Sequence, residues 1–194
     1  MISYRILLGV LAAVIGFAGY IPYFRDIFKG KTKPHVFSWT AWGSLIGVDF
    51  IVQVTRGGGA GAWVTGFSSV VCFAIAALAF TRGEKKITKG DWFCFGAAII
   101  GIVLWLFTND PLLTVIIITA TDAVAFIPTF RKTYRKPDEE TLVSYIFTTL
   151  KWAMGVAALR SLTLVTALYP ASLILTNGIF ISMVIWRRRV LAKS

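Results

Sequence analysis

Seven apolar runs, each about as long as a bilayer is thick, follow one another along a chain of 194 residues. They fall at roughly 5–22, 36–55, 61–81, 91–108, 111–130, 141–159 and 163–186. A crossing helix takes roughly 20 apolar residues, so seven crossings use about 140 and leave only loops and tails. Backbone polar groups cannot stay unpaired in hydrocarbon, so each run is predicted to be a helix. Composition points the same way. The chain is 57% hydrophobic and 15% charged, with a mean hydropathy of +0.74, against roughly 45–50% and a quarter in soluble domains. These values exclude an ordinary soluble enzyme.

The charges set an expected orientation. Arg25, Lys29, Lys31 and Lys33 follow the first run, and Arg82, Lys85, Lys86 and Lys89 the third. Arg131, Lys132, Arg135 and Lys136 follow the fifth, and Arg187, Arg188, Arg189 and Lys193 the seventh. The opposite side holds only Arg5, Arg56 and Arg160, while Lys151 lies inside a run. Basic loops stay in the cytoplasm, so the N-terminus is expected outside and the C-terminus inside, in a bacterial-type inner (plasma) membrane. The net charge of +11 is therefore explained by topology. Nucleic acid is not an expected partner, because the basic residues interrupt apolar runs instead of covering a soluble face.

The chain also matches itself at an offset of 106 residues. Tyr20-Ile21-Pro22-Tyr23-Phe24-Arg25 falls on Phe126-Ile127-Pro128-Thr129-Phe130-Arg131, and Ser38-Trp39 falls on Ser144-Tyr145 without a gap. Runs one to three thus map onto runs five to seven, with run four as a spacer that keeps both copies in one orientation. The expected organisation is a first three-helix repeat at 1–86, a linker helix at 87–109, and a second three-helix repeat with a basic tail at 110–194. The fold class is all-α: seven transmembrane helices in two parallel repeats.

This 3+1+3 layout resembles the SWEET and PQ-loop transporter superfamily, over essentially the whole chain. Pro22 and Pro128 occupy the place of that family's Pro-Gln signature, with Tyr23 and Thr129 following in place of glutamine. The resemblance implies two three-helix bundles that alternate access to a site between them, with helix-kinking prolines as hinges. Pro22 and Pro128, with the matched serines Ser38 and Ser144, are the candidate hinge and gate residues. The plainer reading is that each proline simply ends its helix before a basic loop.

Ionisable groups at membrane depth are costly and usually mark function. Counted inward from the basic clusters, Asp122, Lys151 and Asn177 lie at a common depth of roughly 14–15 Å. They belong to runs five, six and seven, and their counterparts in the first repeat are Gly16, Leu45 and Val71. A polar wall is thus expected to face an apolar one. Asp122 and Lys151 are the obvious buried pair, with Asn177 beside them. Asp49 lies higher, with Gln53 one turn above it. Trp39, Trp42 and Trp152 lie deep enough to stack on a solute, while Trp63, Trp92 and Trp186 read as interface anchors. Three readings stay open for the pair: a substrate site, a structural salt bridge, or two groups that never meet.

No cofactor or metal is expected. Cys72 and Cys94 lie in apolar runs, His35 is the single histidine, and Gly57-Gly58-Gly59 lacks a phosphate-loop context. No nucleophile–base pair or pair of catalytic carboxylates stands out, so an enzyme is not expected. The expected function is transport of a small polar solute, such as a sugar, an amino acid or a nucleoside-like compound. The alternative is a non-transporting receptor or scaffold of the same layout. The expected partners are a small-molecule solute, the lipid bilayer and further copies of the chain in a homo-oligomer.

Overall fold

The computed structural model describes residues 4–55, 60–108, 110–158 and 163–192. Arg56, the glycines 57–59, Asn109, Arg160 and Lys193 lie outside the described residues, as do the side chains of Arg5, Gln53 and Trp63. The described residues form seven α-helices and one 3₁₀ turn, Pro137–Glu139. The helices are α1 Tyr4–Phe28, α2 Val36–Thr55, α3 Ala60–Arg82, α4 Lys89–Leu106, α5 Pro111–Arg135, α6 Leu142–Ala158 and α7 Leu164–Leu191. Five of them, α1, α3, α4, α5 and α7, are long and apolar enough to cross a membrane. The apolar stretches of α2 (Val36–Ile51) and α6 are shorter.

Three helices overrun the apolar runs that predict them. Those runs end at 22, 130 and 186, where basic residues begin, yet α1, α5 and α7 continue to Phe28, Arg135 and Leu191. Backbone hydrogen bonding carries on into the charged stretch once hydropathy has stopped. Pro22 and Pro128 therefore sit inside their helices, not at the ends, and the plainer reading of them gives way. Local chemistry marks the starts. Thr88 and Asp91 form a capping box on α4. Asp110 caps α5 ahead of Pro111 in the first turn, and Thr163 and Thr166 cap α7. Gly30, with φ of 70°, turns the chain away after α1.

The surface is apolar and the interior is mixed. Leu7, Val10, Val14, Phe17 and Ile21 recur along one exposed stripe of α1, and Trp92, Phe93, Ile99, Ile100 and Phe107 face outward from α4. Such a coat in water would be a very large hydrophobic patch; against lipid tails it is the expected boundary. Inside lie Ser68, Thr121, Asp122, Thr129, Lys132, Glu140, Lys151 and Asn177. The chain is an all-helical membrane protein.

Packing follows a simple scheme. Helix α3 contacts α1 and α2, while α7 contacts α5 and α6. Helix α1 lies along α6, and α2 along α5. Helix α4 covers α5 and α2 from outside. Among the described residues the backbones of α1 and α2 do not come close, nor those of α5 and α6; side chains bridge both gaps, Trp39 Nε1 donating to the Tyr23 oxygen at 3.1 Å and the Phe126 ring stacking on Tyr145 at 6.3 Å. Small residues allow the close crossings. A Cβ on Gly19 would stand 2.6 Å from the Phe147 Cβ, and Gly43 of α2 lends its carbonyl to Ser69 Oγ of α3 at 2.7 Å.

The loops after α1, α3 and α5 and the end of α7 gather at one end of the bundle, the basic end. Lys33 Nζ meets Glu139 Oε1 at 2.7 Å, Lys136 Nζ meets Glu84 Oε2 at 2.9 Å, and Arg188 donates to the carbonyls of Pro137 and Glu140. The sequence assigned these basic residues to topology alone. Acidic residues from neighbouring loops in fact bind several of them.

Candidate functional site

At the centre of the bundle α1, α2, α3, α5, α6 and α7 enclose a chamber of about 70 Å³. Eight aromatic rings line it: Tyr20 and Tyr23 from α1, Trp39 and Trp42 from α2, Phe126 from α5, Tyr145 and Trp152 from α6, and Tyr169 from α7. Among them open the polar groups of Asp122, Ser144, Thr148, Lys151 and Asn177. Ligand clefts commonly hold about 300–1,000 Å³, so this chamber is contracted.

The expected charges reach this chamber, but they do not pair. Asp122 and Lys151 are 2% and 4% exposed. No cation stands within 4 Å of the Asp122 carboxylate, and no carboxylate within 4 Å of the Lys151 ammonium, among the described residues. Asp122 instead accepts one hydrogen bond, from the Tyr169 hydroxyl at 3.3 Å. Lys151 donates to Ser68 Oγ at 3.3 Å and lies over the Trp152 ring at 4.5 Å and the Tyr20 ring at 5.7 Å. The reason is geometric. The Lys151 stem leans on α1, where a Cβ on Gly16 would come within 2.5 Å of its Cδ, whereas Asp122 turns toward α7. The expectation of a buried salt bridge is corrected on this point.

Three further expectations shift. Asn177 lines the chamber but donates to its own helix, Nδ2 to the Leu173 carbonyl at 2.7 Å. Asp49 is half-buried on α2 and does not line the chamber. The wall from the first half is aromatic and hydroxyl-bearing, with Tyr20, Tyr23, Trp39 and Trp42, where a purely apolar one was expected. Trp42 does sit in that wall, its ring edge-on to Trp39 and Phe126 at 5.2 and 4.9 Å. Trp92 and Trp186 lie exposed at 62% and 52%.

The serines matched by the repeat differ. Ser38 Oγ donates to the Ala125 carbonyl at 2.7 Å, one turn before Pro128, and so ties α2 to the proline-loosened turn of α5. At the equivalent crossing Ser144 is buried against α1, and its Oγ finds no partner.

Toward the basic end the chamber is stoppered. Tyr23 and Tyr145 donate their hydroxyls to Glu140 Oε2 at 3.1 and 3.4 Å, and Trp39 Nε1 donates to the Tyr23 oxygen at 3.1 Å. Glu140 Oε1 in turn accepts from Lys132 Nζ at 2.5 Å, and the same ammonium donates to the Lys33 and Glu139 carbonyls at 2.9 and 3.0 Å. The side chains of Lys132 and Glu140 are 1% and 0% exposed. Thr32 and Thr141 join the two loops directly. Beside this stopper Arg131 grips Asp91 with two bonds at 3.0 and 2.5 Å, and buried His35 sits 3.5 Å from the same carboxylate. Burial holds the His35 pKa below its usual value against the pull of Asp91, which keeps the ring neutral near pH 7. Among the described residues no group of three metal-ligating side chains assembles.

Sequence reasoning missed this stopper. Its signal was present: Asp138-Glu139-Glu140 stands directly after the cluster Arg131, Lys132, Arg135 and Lys136. Against protein-family models, curated proteins and solved structures alike, the chain finds no match.

Proposed function

We propose that this protein carries a small polar solute across the membrane by alternating access between two three-helix units, 1–86 and 110–194, linked by 87–109. The carrying observation is the chamber itself: two buried groups of opposite charge, Asp122 and Lys151, border one cavity without neutralising each other. A carboxylate offers about four acceptor sites and an ammonium three donors, and each uses one on protein here. A solute with donors and acceptors of its own would take up the remainder, whether sugar, amino acid or nucleoside-like compound.

Packing supports the duplication. Under the offset of 106, the contacts α1–α3, α2–α3 and α1–α6 become α5–α7, α6–α7 and α5–α2, and each of these is present. Chamber-lining residues pair in the same way: Tyr20 with Phe126, Trp39 with Tyr145, Trp42 with Thr148, and Ile46 with Trp152. The resemblance of the sequence to the SWEET and PQ-loop superfamily points to the same two-bundle arrangement. In this reading the basic end is cytoplasmic and closed, and Pro22 and Pro128 are the bends about which it opens.

The test is uptake by purified protein in proteoliposomes, over a panel of labelled sugars, amino acids and nucleosides. At least one is expected to enter with wild type and to be excluded by folded Asp122→Asn and Lys151→Met. Absence of flux for the whole panel, or flux unchanged in both variants, would count against the reading.

A further inference from the structure

A second cavity, of about 440 Å³, opens between α1 and α3 on the outer surface of the bundle. Its rim is Val14, Phe17 and Phe67, which are 59%, 57% and 45% exposed among the apolar residues that face lipid. The rings of Phe17 and Phe67 meet at its rim, their centroids 5.9 Å apart. Lys151 and Ser68 complete its otherwise apolar lining, with Nζ and Oγ 3.3 Å from each other. The lysine that borders the central chamber therefore also closes a slot that faces the hydrocarbon.

The two ends of this slot call for different chemistry. An apolar cavity of roughly 150 Å³ is enough to bind benzene, so the walls can take an alkyl chain. Among the described residues no carboxylate stands within 4 Å of the buried Lys151 ammonium, which is expensive at membrane depth, and an anion placed on it forms a short charge-assisted bond. We propose that this slot binds a single-chain organic carboxylate drawn from the lipid phase. Its tail lies along the wall formed by Ala13, Val14, Phe17 and Phe67, and its head accepts from Lys151 Nζ. The inference rests on the position of Lys151 and not on transport through the chamber.

The experiment uses purified full-length protein in neutral detergent and labelled dodecanoate, with retention measured at increasing concentration. Saturable retention is expected, weakened about tenfold or more by Lys151→Met, which removes a charge-assisted bond. Ala13→Phe, which adds a ring to the wall of the slot and keeps Lys151, is expected to weaken it as much. Asp122→Asn is expected to retain dodecanoate as wild type does while losing uptake, so the two proposals fail separately. Dodecylammonium is expected not to compete. Equal retention by wild type, Lys151→Met and Ala13→Phe would overturn the proposal, as would competition by dodecylammonium as strong as by unlabelled dodecanoate.

Discussion

The basic end and the central chamber bury charge equally well and treat it in opposite ways. At the basic end Lys132 and Glu140 are sealed from solvent, paired at 2.5 Å, and supplied with two carbonyls and two tyrosine hydroxyls. In the chamber Asp122 and Lys151 are also sealed, yet among the described residues each has one hydrogen bond and no counter-charge within 4 Å. Burial is costly in both places. Where all the polar valences are filled, the charges act as a fastening. Where they are left open, the cost is carried by the fold and is recovered when a ligand arrives. Such open groups mark the chamber, not the network of ion pairs, as the place to look for function.

That contrast makes opposite demands on mutants, and the largest effect belongs to the fastening. Glu140→Gln leaves the Lys132 ammonium buried without its partner, which typically costs about 3–5 kcal/mol. The thermal midpoint in detergent is expected to fall sharply. In the chamber the sign reverses. Asp122→Asn and Lys151→Met each remove an uncompensated charge, so the midpoint is expected to hold or rise while uptake drops by about tenfold or more. A fall in stability as deep as that of Glu140→Gln would break the comparison.

The matched serines sharpen it further. Ser38→Ala removes the bond to the Ala125 carbonyl and is expected to cost about 1 kcal/mol. Ser144→Ala removes a hydroxyl that has no partner, and its unfolding midpoint is expected to match wild type or exceed it. The smallest effect lies at the rim of the basic end. Glu84, buried but bonded to Lys136 and the Lys86 amide, is held below the usual carboxylate pKa. Lys136 is raised above its ordinary 10.5, chiefly by its bond to Glu84. The stability contributed by Glu84 is therefore present above the ordinary value of 4.5 and is lost as pH falls through its lower folded value. The Lys136 contribution is present below 10.5 and is lost as pH rises through its higher folded value. With Lys136 43% exposed, solvent screening limits the pair to at most about 1 kcal/mol. Glu84→Gln is expected to lower stability at neutral pH by at most about 1 kcal/mol and to flatten the acid limb, so that variant and wild type converge at low pH.

Much of the architecture was legible because lipid leaves few choices. Apolar length marked seven helices to within a few residues at most ends. The errors at α1, α5 and α7 arose because helical hydrogen bonding ignores the point where hydropathy stops. That Asp122, Lys151 and Asn177 would meet at one chamber was also legible, since counting residues along a helix measures relative height. What counting cannot give is rotation about the helix axis and rotamer. Those decide that Lys151 leans over Gly16 toward Ser68 while Asp122 turns to Tyr169. The stopper of Tyr23, Tyr145, Glu140 and Lys132 was hidden for a related reason. It joins residues more than a hundred positions apart, and only the packing of α1 on α6 brings them together.

The account stands on a chamber that opens in turn to each side of the membrane, and the native Cys72 thiol, buried in its wall, can report this. With Cys94 replaced by alanine, an impermeant thiol reagent is applied to sealed vesicles from one side and then from the other. Labelling is expected from both sides, slower from the side of the basic loops and accelerated there by Glu140→Gln. A thiol that is reached from neither side, while the unfolded chain labels fully, would contradict it.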